Sequence, residues 1–168
     1  MKLIRSQIAS ELNNRLFEIS AKVLPERGII FLEDTIQCTI SSKNIEYGFS
    51  IWGKIHGLNE YVCIRCLKPY LNNFEVNFKV ILSHKKDLKN QNINEILFFP
   101  LNKEKINLGE LIADKISLDE PMNPLCKINC KGLCPQCGIN INKSSCDCKT
   151  EDSDSTWDKL KKINFDLK

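Results

Sequence analysis

The chain has 168 residues, of which 42% are hydrophobic and 27% charged, with a formal net charge of +3. That length gives one domain or one and a half, and no apolar run approaches the length that spans a bilayer, which sets aside a transmembrane helix. The charge also counts every cysteine as neutral; if eight of the nine held two divalent ions as thiolates it would fall to about −1, so a globally basic nucleic-acid binder is not indicated and any such surface is a local patch.

The opening stretch MKLIRSQIASELNNRLFEIS carries Arg5, Glu11, Arg15 and Glu18. It lacks the unbroken apolar core of a secretory signal and the acid-poor composition of a transit sequence. The chain is therefore expected in a reducing, cytoplasm-like compartment. There, grouped cysteines bind metal or do redox chemistry more often than they form structural disulfides.

Residues 16–24, LFEISAKVL, mix alternation with branched side chains and predict a strand, and Pro25-Glu26-Arg27-Gly28 predicts a turn. IIFLED (29–34) and TIQCTI (35–40) predict short strands. IEYGFSIWGKIHG alternates, placing Tyr47, Phe49, Ile51, Gly53 and Ile55 on one face. FEVNFKVIL (74–82) is the cleanest strand, with Phe74, Val76, Phe78 and Val80 pointing one way. Successive strands joined by brief turns predict an antiparallel sheet rather than a βαβ array. Residues 84–105 are polar and rich in Asn and Lys, and predict a long surface loop interrupted by ILFFP as a short edge strand. NLGELIADKISL predicts the main helix: Asn107 with Glu110 resembles a capping box, and Leu108, Leu111, Ile112 and Ile116 form one stripe. Pro121 and Pro124 end it. KTEDSDS is an acidic joint, and TWDKLKKINFDL an amphipathic tail with Trp157, Leu160 and Ile163 on one face. The fold expected is α+β: an antiparallel sheet with one main helix over residues 1–121, then a cysteine-rich, zinc-binding segment with a short terminal helix over 122–168.

The nine cysteines carry the chemistry. Cys38 lies in a strand-like run and reads as a buried free thiol. Cys134-Pro-Gln-Cys137-Gly can turn two thiolates onto one ion, the glycine permitting the tight backbone. Cys146-Asp-Cys148 supplies a second pair. The segment has little apolar content of its own, and metal binding would supply the free energy that ordering it requires. Cys63-Ile-Arg-Cys66 is another knuckle far upstream, and a closed structural site needs four ligands. Cys126 and Cys130 are the pair that completes it, which would staple the sheet to the C-terminal segment. The rival grouping takes Cys126, Cys130, Cys134 and Cys137 together and leaves Cys63 and Cys66 as a dithiol.

Thiolates are soft donors that suit Zn²⁺, so one or two zinc ions are expected. Sites closed by four protein ligands leave no position for a catalytic water. No Ser/His/Asp order, phosphate loop or HExxH is present. His56 and His84 read as surface residues, and Asp119 with Glu120 as a solvated turn. A non-enzymatic protein without a small-molecule substrate is expected. Arg65, Lys68, Lys127 and Lys131 are candidate RNA contacts around the knuckles, with Lys143 and Lys149 near them and Tyr70 and Trp52 as stacking aromatics.

The order CIRCLKP (63–69) after WGKIHG, then FEVNFKVIL, INLGELIADKISLDEPMNPLC, CKGLCPQCGININKSSCDC and WDKLKKI resembles the YceD family, from about Ile45 to the end. The resemblance implies a bacterial cytoplasmic ribosome-biogenesis factor supporting synthesis, processing or stability of large-subunit (23S) ribosomal RNA. Its partner would be ribosomal RNA or a pre-ribosomal large subunit, met directly or through protein. This sequence departs from the family in carrying Asp119 and Glu120 where relatives have an aliphatic run before the first C-terminal cysteine. Two other classes compete with the factor: a zinc-ribbon protein adaptor, and a dithiol oxidoreductase using Cys63 and Cys66. The oxidoreductase is disfavoured because the pair follows a strand without a thioredoxin-like βαβ context.

Overall fold

The computed structural model describes residues 1–85 and 95–148. The acidic joint and the amphipathic tail expected after residue 148 lie outside the described residues, as does most of the polar loop after His84. The chain opens with β1 (Lys2–Ile4) and a short helix α1 (Arg5–Ala9). There follow β2 (Arg15–Ser20), a 3-10 turn (Ala21–Val23), β3 (Thr35–Ile45), β4 (Gly48–Val62) and β5 (Pro69–Ser83). β6 (Glu95–Phe98), β7 (Lys105–Asn107) and α2 (Gly109–Asp119) complete the set.

The architecture is α+β. One five-stranded sheet runs in the order β2-β3-β4-β5-β6, and β1 pairs with β7 in a small separate ribbon. Pairing is antiparallel from β2 to β5, and β6 joins the edge parallel to β5. The period-2 pattern of β4 and β5 decides which sheet face is buried. Phe49, Ile51 and Ile55 point inward beside Phe74, Val76, Phe78, Val80 and Leu82. Against them pack Ile8 of α1 and Leu111, Ile112, Ala113 and Ile116 of α2, all in one cluster. Each fully buried Ile, Leu or Phe contributes about 1.5–3 kcal/mol relative to exposure. Gly53 and Gly57 break the aliphatic pattern for a steric reason. They face Phe78 and Phe74 across the β4–β5 ladder, and a Cβ on Gly57 would sit 2.5 Å from the Phe74 ring.

Two local expectations are corrected. Residues 29–34 form no strand: they make one isolated bridge, Phe31 to Asn59, with Leu32 N–H on the Leu58 carbonyl and Glu60 N–H on the Ile30 carbonyl. There is no capping box on α2. Asn107 lies in β7 and its Oδ1 accepts from Gly109 N–H at 3.1 Å and from the chain's amino terminus at 3.3 Å. Glu110 instead pairs with Arg27 at 3.0 Å, and Arg27 also reaches Asp114 at 2.8 Å, tying the 25–28 turn to the helix. The N-terminal β1 and α1 had no counterpart in the sequence reading. Among the described residues no helix is long and apolar enough to cross a membrane.

Candidate metal centres

The first centre begins at the β4–β5 hairpin. Its loop, residues 63–68, is closed by Cys63 N–H on the Lys68 carbonyl (3.0 Å) and Leu67 N–H on the Cys63 carbonyl (2.9 Å). Leu67 takes φ +53°, the left-handed turn that folds Cys63 and Cys66 toward one point. The chain after α2 then docks on this loop. Ile64 N–H donates to the Pro124 carbonyl and Leu133 N–H to the Arg65 carbonyl, both at 3.0 Å. Arg65 Nη1 donates to the Cys130 carbonyl at 2.9 Å. These bonds bring Cys126 and Cys130 onto Cys63 and Cys66. Cys63, Cys66 and Cys130 are buried, covered by Tyr70, Leu125 and Leu133.

The second centre is a knuckle. Cys134 N–H donates to the Ile139 carbonyl, and Gly138 N–H donates to the Cys134 carbonyl at 2.9 Å. Gly138 takes φ +72°, a conformation glycine adopts without Cβ strain. Cys146 and Cys148 return from residues 140–145 to face Cys134 and Cys137.

In each group the four Sγ atoms lie within 4.8 Å of one another. Tetrahedral sulfurs placed about 2.3 Å from one Zn²⁺ sit about 3.8 Å apart. The structure gives 3.8 Å for Cys63–Cys130 and 3.6 Å for Cys66–Cys126. All eight are free thiols. The donor sets therefore fit a tetrahedral ion, and each group could hold one. The thiols come together as 63/66/126/130 and 134/137/146/148, not in the rival grouping.

The protons on these thiols are distributed unevenly, as crowding of like charges requires. The Cys63 thiol is lowered to about 6, first by the backbone N–H of Cys126 and further by those of Cys66 and Arg65. Cys126 is pushed up to about 12 by desolvation and by its neighbouring thiols. Desolvation opposes ionisation of Cys130, yet the Gly132 N–H and the Asn142 side-chain amide bring it below its ordinary value. In the second group the N–H groups of Cys137 and Gln136 hold Cys134 at about 6, while Cys148 is pushed up to about 12 by Cys137. Backbone donors are thus preset for sulfur anions, while metal-free thiols share protons that an ion would displace.

The centres are linked. Asn142, beyond the second knuckle, donates Nδ2 to Cys130 Sγ at 3.4 Å and accepts Lys131 N–H on Oδ1 at 2.9 Å. Gly132 passes Arg65 so closely that a Cβ would meet the Arg65 carbonyl oxygen at 3.0 Å, and its φ is +80°. Between the centres lies a cleft of about 310 Å³. Lys68 and Tyr70 of the hairpin form one wall, Lys127 another, and Asn140, Asn142 and Lys143 a third.

Of the four cations singled out as RNA contacts, Lys68 and Lys127 line this cleft. Arg65 instead braces the Cys130 carbonyl, and Lys131 lies outside the cleft walls. Tyr70 is at the site. Trp52 is not: it stands in the first third of β4, roughly 36 Å of extended strand from Cys63. Asn140 and Asn142 had no role in the sequence reading. The signal that points to them is their place in ININ, directly after a Cys-x-x-Cys-Gly knuckle, where side-chain amides can complete the turn. Cys38 is fully buried in the sheet core, away from both groups, and its thiol is pushed up to about 12 by burial.

The model of the family described as Large ribosomal RNA subunit accumulation protein YceD matches residues 51–164. An uncharacterized protein of Mycobacterium tuberculosis is 27% identical over 118 residues, covering 70% of this chain and 56% of the relative. The chain thus spans a little over half the length of that relative. A chloroplastic large ribosomal RNA subunit accumulation protein YCED homolog of Arabidopsis thaliana is 36% identical over 64 residues, 38% of this chain and 20% of the relative. The corresponding Zea mays protein is 44% identical over 54 residues, 32% and 18% respectively. No solved structure matches the chain. The family match covers the hairpin loop, α2 and both thiol groups, and on it the chain belongs to the YceD family.

Proposed function

We propose that this protein is a non-enzymatic factor for accumulation of large-subunit ribosomal RNA. It acts in the bacterial cytoplasm on that RNA or on a precursor of the large subunit. Two Zn²⁺ ions, on Cys63, Cys66, Cys126 and Cys130 and on Cys134, Cys137, Cys146 and Cys148, build the contact surface and take no part in chemistry. Four thiolates around each ion leave no open position, which supports a structural role. The plant relatives' names supply the large-subunit reading.

The observation that carries the reading is the cleft between the centres. Lys68, Lys127 and Lys143 present ammonium groups around Tyr70 and two side-chain amides. Ammonium groups suit phosphates, a partly buried aromatic at the cleft suits an unpaired base, and amides suit base edges. Arg65 and Lys131 flank the same docking segment.

Crosslinking in cells followed by sequencing of the attached RNA tests the reading. Large-subunit RNA should be enriched, and a Lys127→Glu/Lys143→Glu variant should lose most of that enrichment while keeping its metal. Depletion should lower large-subunit RNA relative to small-subunit RNA. A depleted strain with normal subunit ratios would refute the reading, as would partner capture that is untouched by RNase.

A further inference from the structure

The five-stranded sheet has a second face, turned away from the core. On it β4 presents Trp52, a large aromatic that is 41% exposed. The register fixes its surroundings. Lys79 of β5 is directly opposite, Lys54 is two residues along the same strand, and Lys43 of β3 pairs with the adjacent Ser50. Every other position touching Trp52 in this grid is a hydroxyl, amide or aliphatic residue, and none is a carboxylate. Lys54 is engaged with Glu75 at 2.7 Å. Among the described residues Lys43 and Lys79 have no carboxylate partner. With Ile45, Ser50 and Trp52 they line a shallow hollow of about 510 Å³.

We infer that this face is a second RNA-binding site, a platform on which an unpaired base stacks on Trp52 while Lys43 and Lys79 hold the flanking phosphates. Strand and residue spacing put the two lysine Cα atoms roughly 12 Å apart on opposite sides of the indole. A nucleotide lying on the ring therefore has an ammonium group on either side. An exposed aromatic ringed by cations without acids complements a single-stranded polyanion with π faces. A protein partner with an apolar surface would leave both ammonium groups to be desolvated without a counter-charge. The inference rests on the RNA reading above but uses a surface well away from the metal centres, so the two can fail separately.

The test uses full-length, metal-loaded protein carrying Trp157→Phe, which leaves Trp52 as the one fluorophore of the two tryptophans. An unstructured oligouridylate of about twelve nucleotides, long enough for one such site, is titrated in. It should quench the emission. Read by the anisotropy of an end-labelled oligouridylate, since these variants carry no tryptophan, Trp52→Ala should weaken binding about 5- to 150-fold, the range for one lost base stack, whereas Trp52→Phe should retain most of the affinity. Lys43→Gln and Lys79→Gln should each lower the salt dependence by about 0.7 in log–log slope, the value for one single-strand phosphate contact. Unchanged affinity in Trp52→Ala overturns the inference. If Lys127→Gln/Lys143→Gln then abolishes binding, the cleft reading survives alone. No binding by any variant overturns both. Emission that responds only to RNase-treated subunit precursors assigns the face to a protein and also overturns it.

Discussion

Replacing Cys63 and Cys66 together by serine should release one metal ion per chain and free the C-terminal segment, yet leave the sheet folded. The sheet is safe because its core and the thiol-lined cluster are separate. The buried aliphatic and aromatic residues of β2–β5, α1 and α2 form one group. Cys63, Cys66 and Cys130 form another, with Tyr70, Leu125, Cys126 and Leu133 the described residues packed on it. The segment has no comparable protection. Apart from sulfur and the packing of Leu125 and Leu133 beside Tyr70, its ties to the hairpin loop among the described residues are the hydrogen bonds Ile64–Pro124, Leu133–Arg65 and Arg65–Cys130. At about 0.5–1.5 kcal/mol net each they contribute a few kcal/mol together. Fixing the backbone of one residue costs about 1–2 kcal/mol, so these bonds offset the ordering of only a handful of residues in the 121–133 stretch. A structural zinc site supplies about 10–16 kcal/mol in small peptides, which is the scale required. Metal analysis after desalting should fall from two ions to one. Limited proteolysis should open cleavage sites between residues 120 and 133, while amide exchange in β3–β5 stays slow. A variant that keeps two ions, or an unchanged cleavage pattern in fully chelated protein, would refute the reasoning.

Asn142→Ala removes the amide donor to Cys130 Sγ and should weaken metal retention at the first centre about 10- to 100-fold in chelator competition, the usual range for an outer partner. Asn142→Asp should be worse, because a carboxylate replaces a donor beside a thiolate. Gly132→Ala combines left-handed strain with a 3.0 Å contact to the Arg65 carbonyl; about 1–2 kcal/mol of strain should appear as faster metal exchange. Acid should strip the metal, because protons compete for the thiolates. Cys126 and Cys148, pushed up to about 12, release protons on metal binding at any working pH, whereas Cys63 and Cys134, held at about 6, release theirs only as pH falls toward that value. Calorimetry in buffers of differing ionisation enthalpy should therefore show more protons released per ion at about pH 5.5 than at pH 8.

What the sequence made legible tracks the length scale of the interaction. Alternation over 74–82 and the Leu108–Ile116 stripe report burial directly, and those residues are in the core. The stretch 29–34 has the same branched composition but lies where only one bridge to β4 forms, so composition without a full partner ladder misleads. Asn107 and Glu110 have capping-box spacing, yet β7 pairs with β1 and turns Asn107 toward the amino terminus, a contact more than a hundred residues distant. At the thiols, Cys-x-x-Cys spacing is local and visible, and chemistry demands two further ligands. Which pair supplies them is a matter of topology. The hairpin tip faces the end of α2 because β5 and α2 pack together, and spacing alone cannot express that. Trp52 shows the reverse error. Its sequence distance from Cys63 is modest, but an extended strand converts those residues into roughly 36 Å, which puts it on a different surface.

The cleft owes its shape to both centres at once. Lys68 reaches it from the hairpin loop and Tyr70 from β5, Lys127 from the loop between Cys126 and Cys130, and Asn140, Asn142 and Lys143 from the loop between Cys137 and Cys146. The first and second walls share the small cluster of Tyr70, Leu125 and Leu133 around the thiols, and among the described residues no apolar cluster reaches the third. The first is fixed to the second through Cys63, Cys66, Cys126 and Cys130, and the second to the third through Gly132, Arg65 and Asn142. Removing either ion should therefore abolish the arrangement of ammonium groups without touching a single lysine. On the proposed reading a closed thiolate site would govern binding without performing chemistry, because coordinate bonds would stand in for the hydrophobic contacts that otherwise hold three short loops at one place.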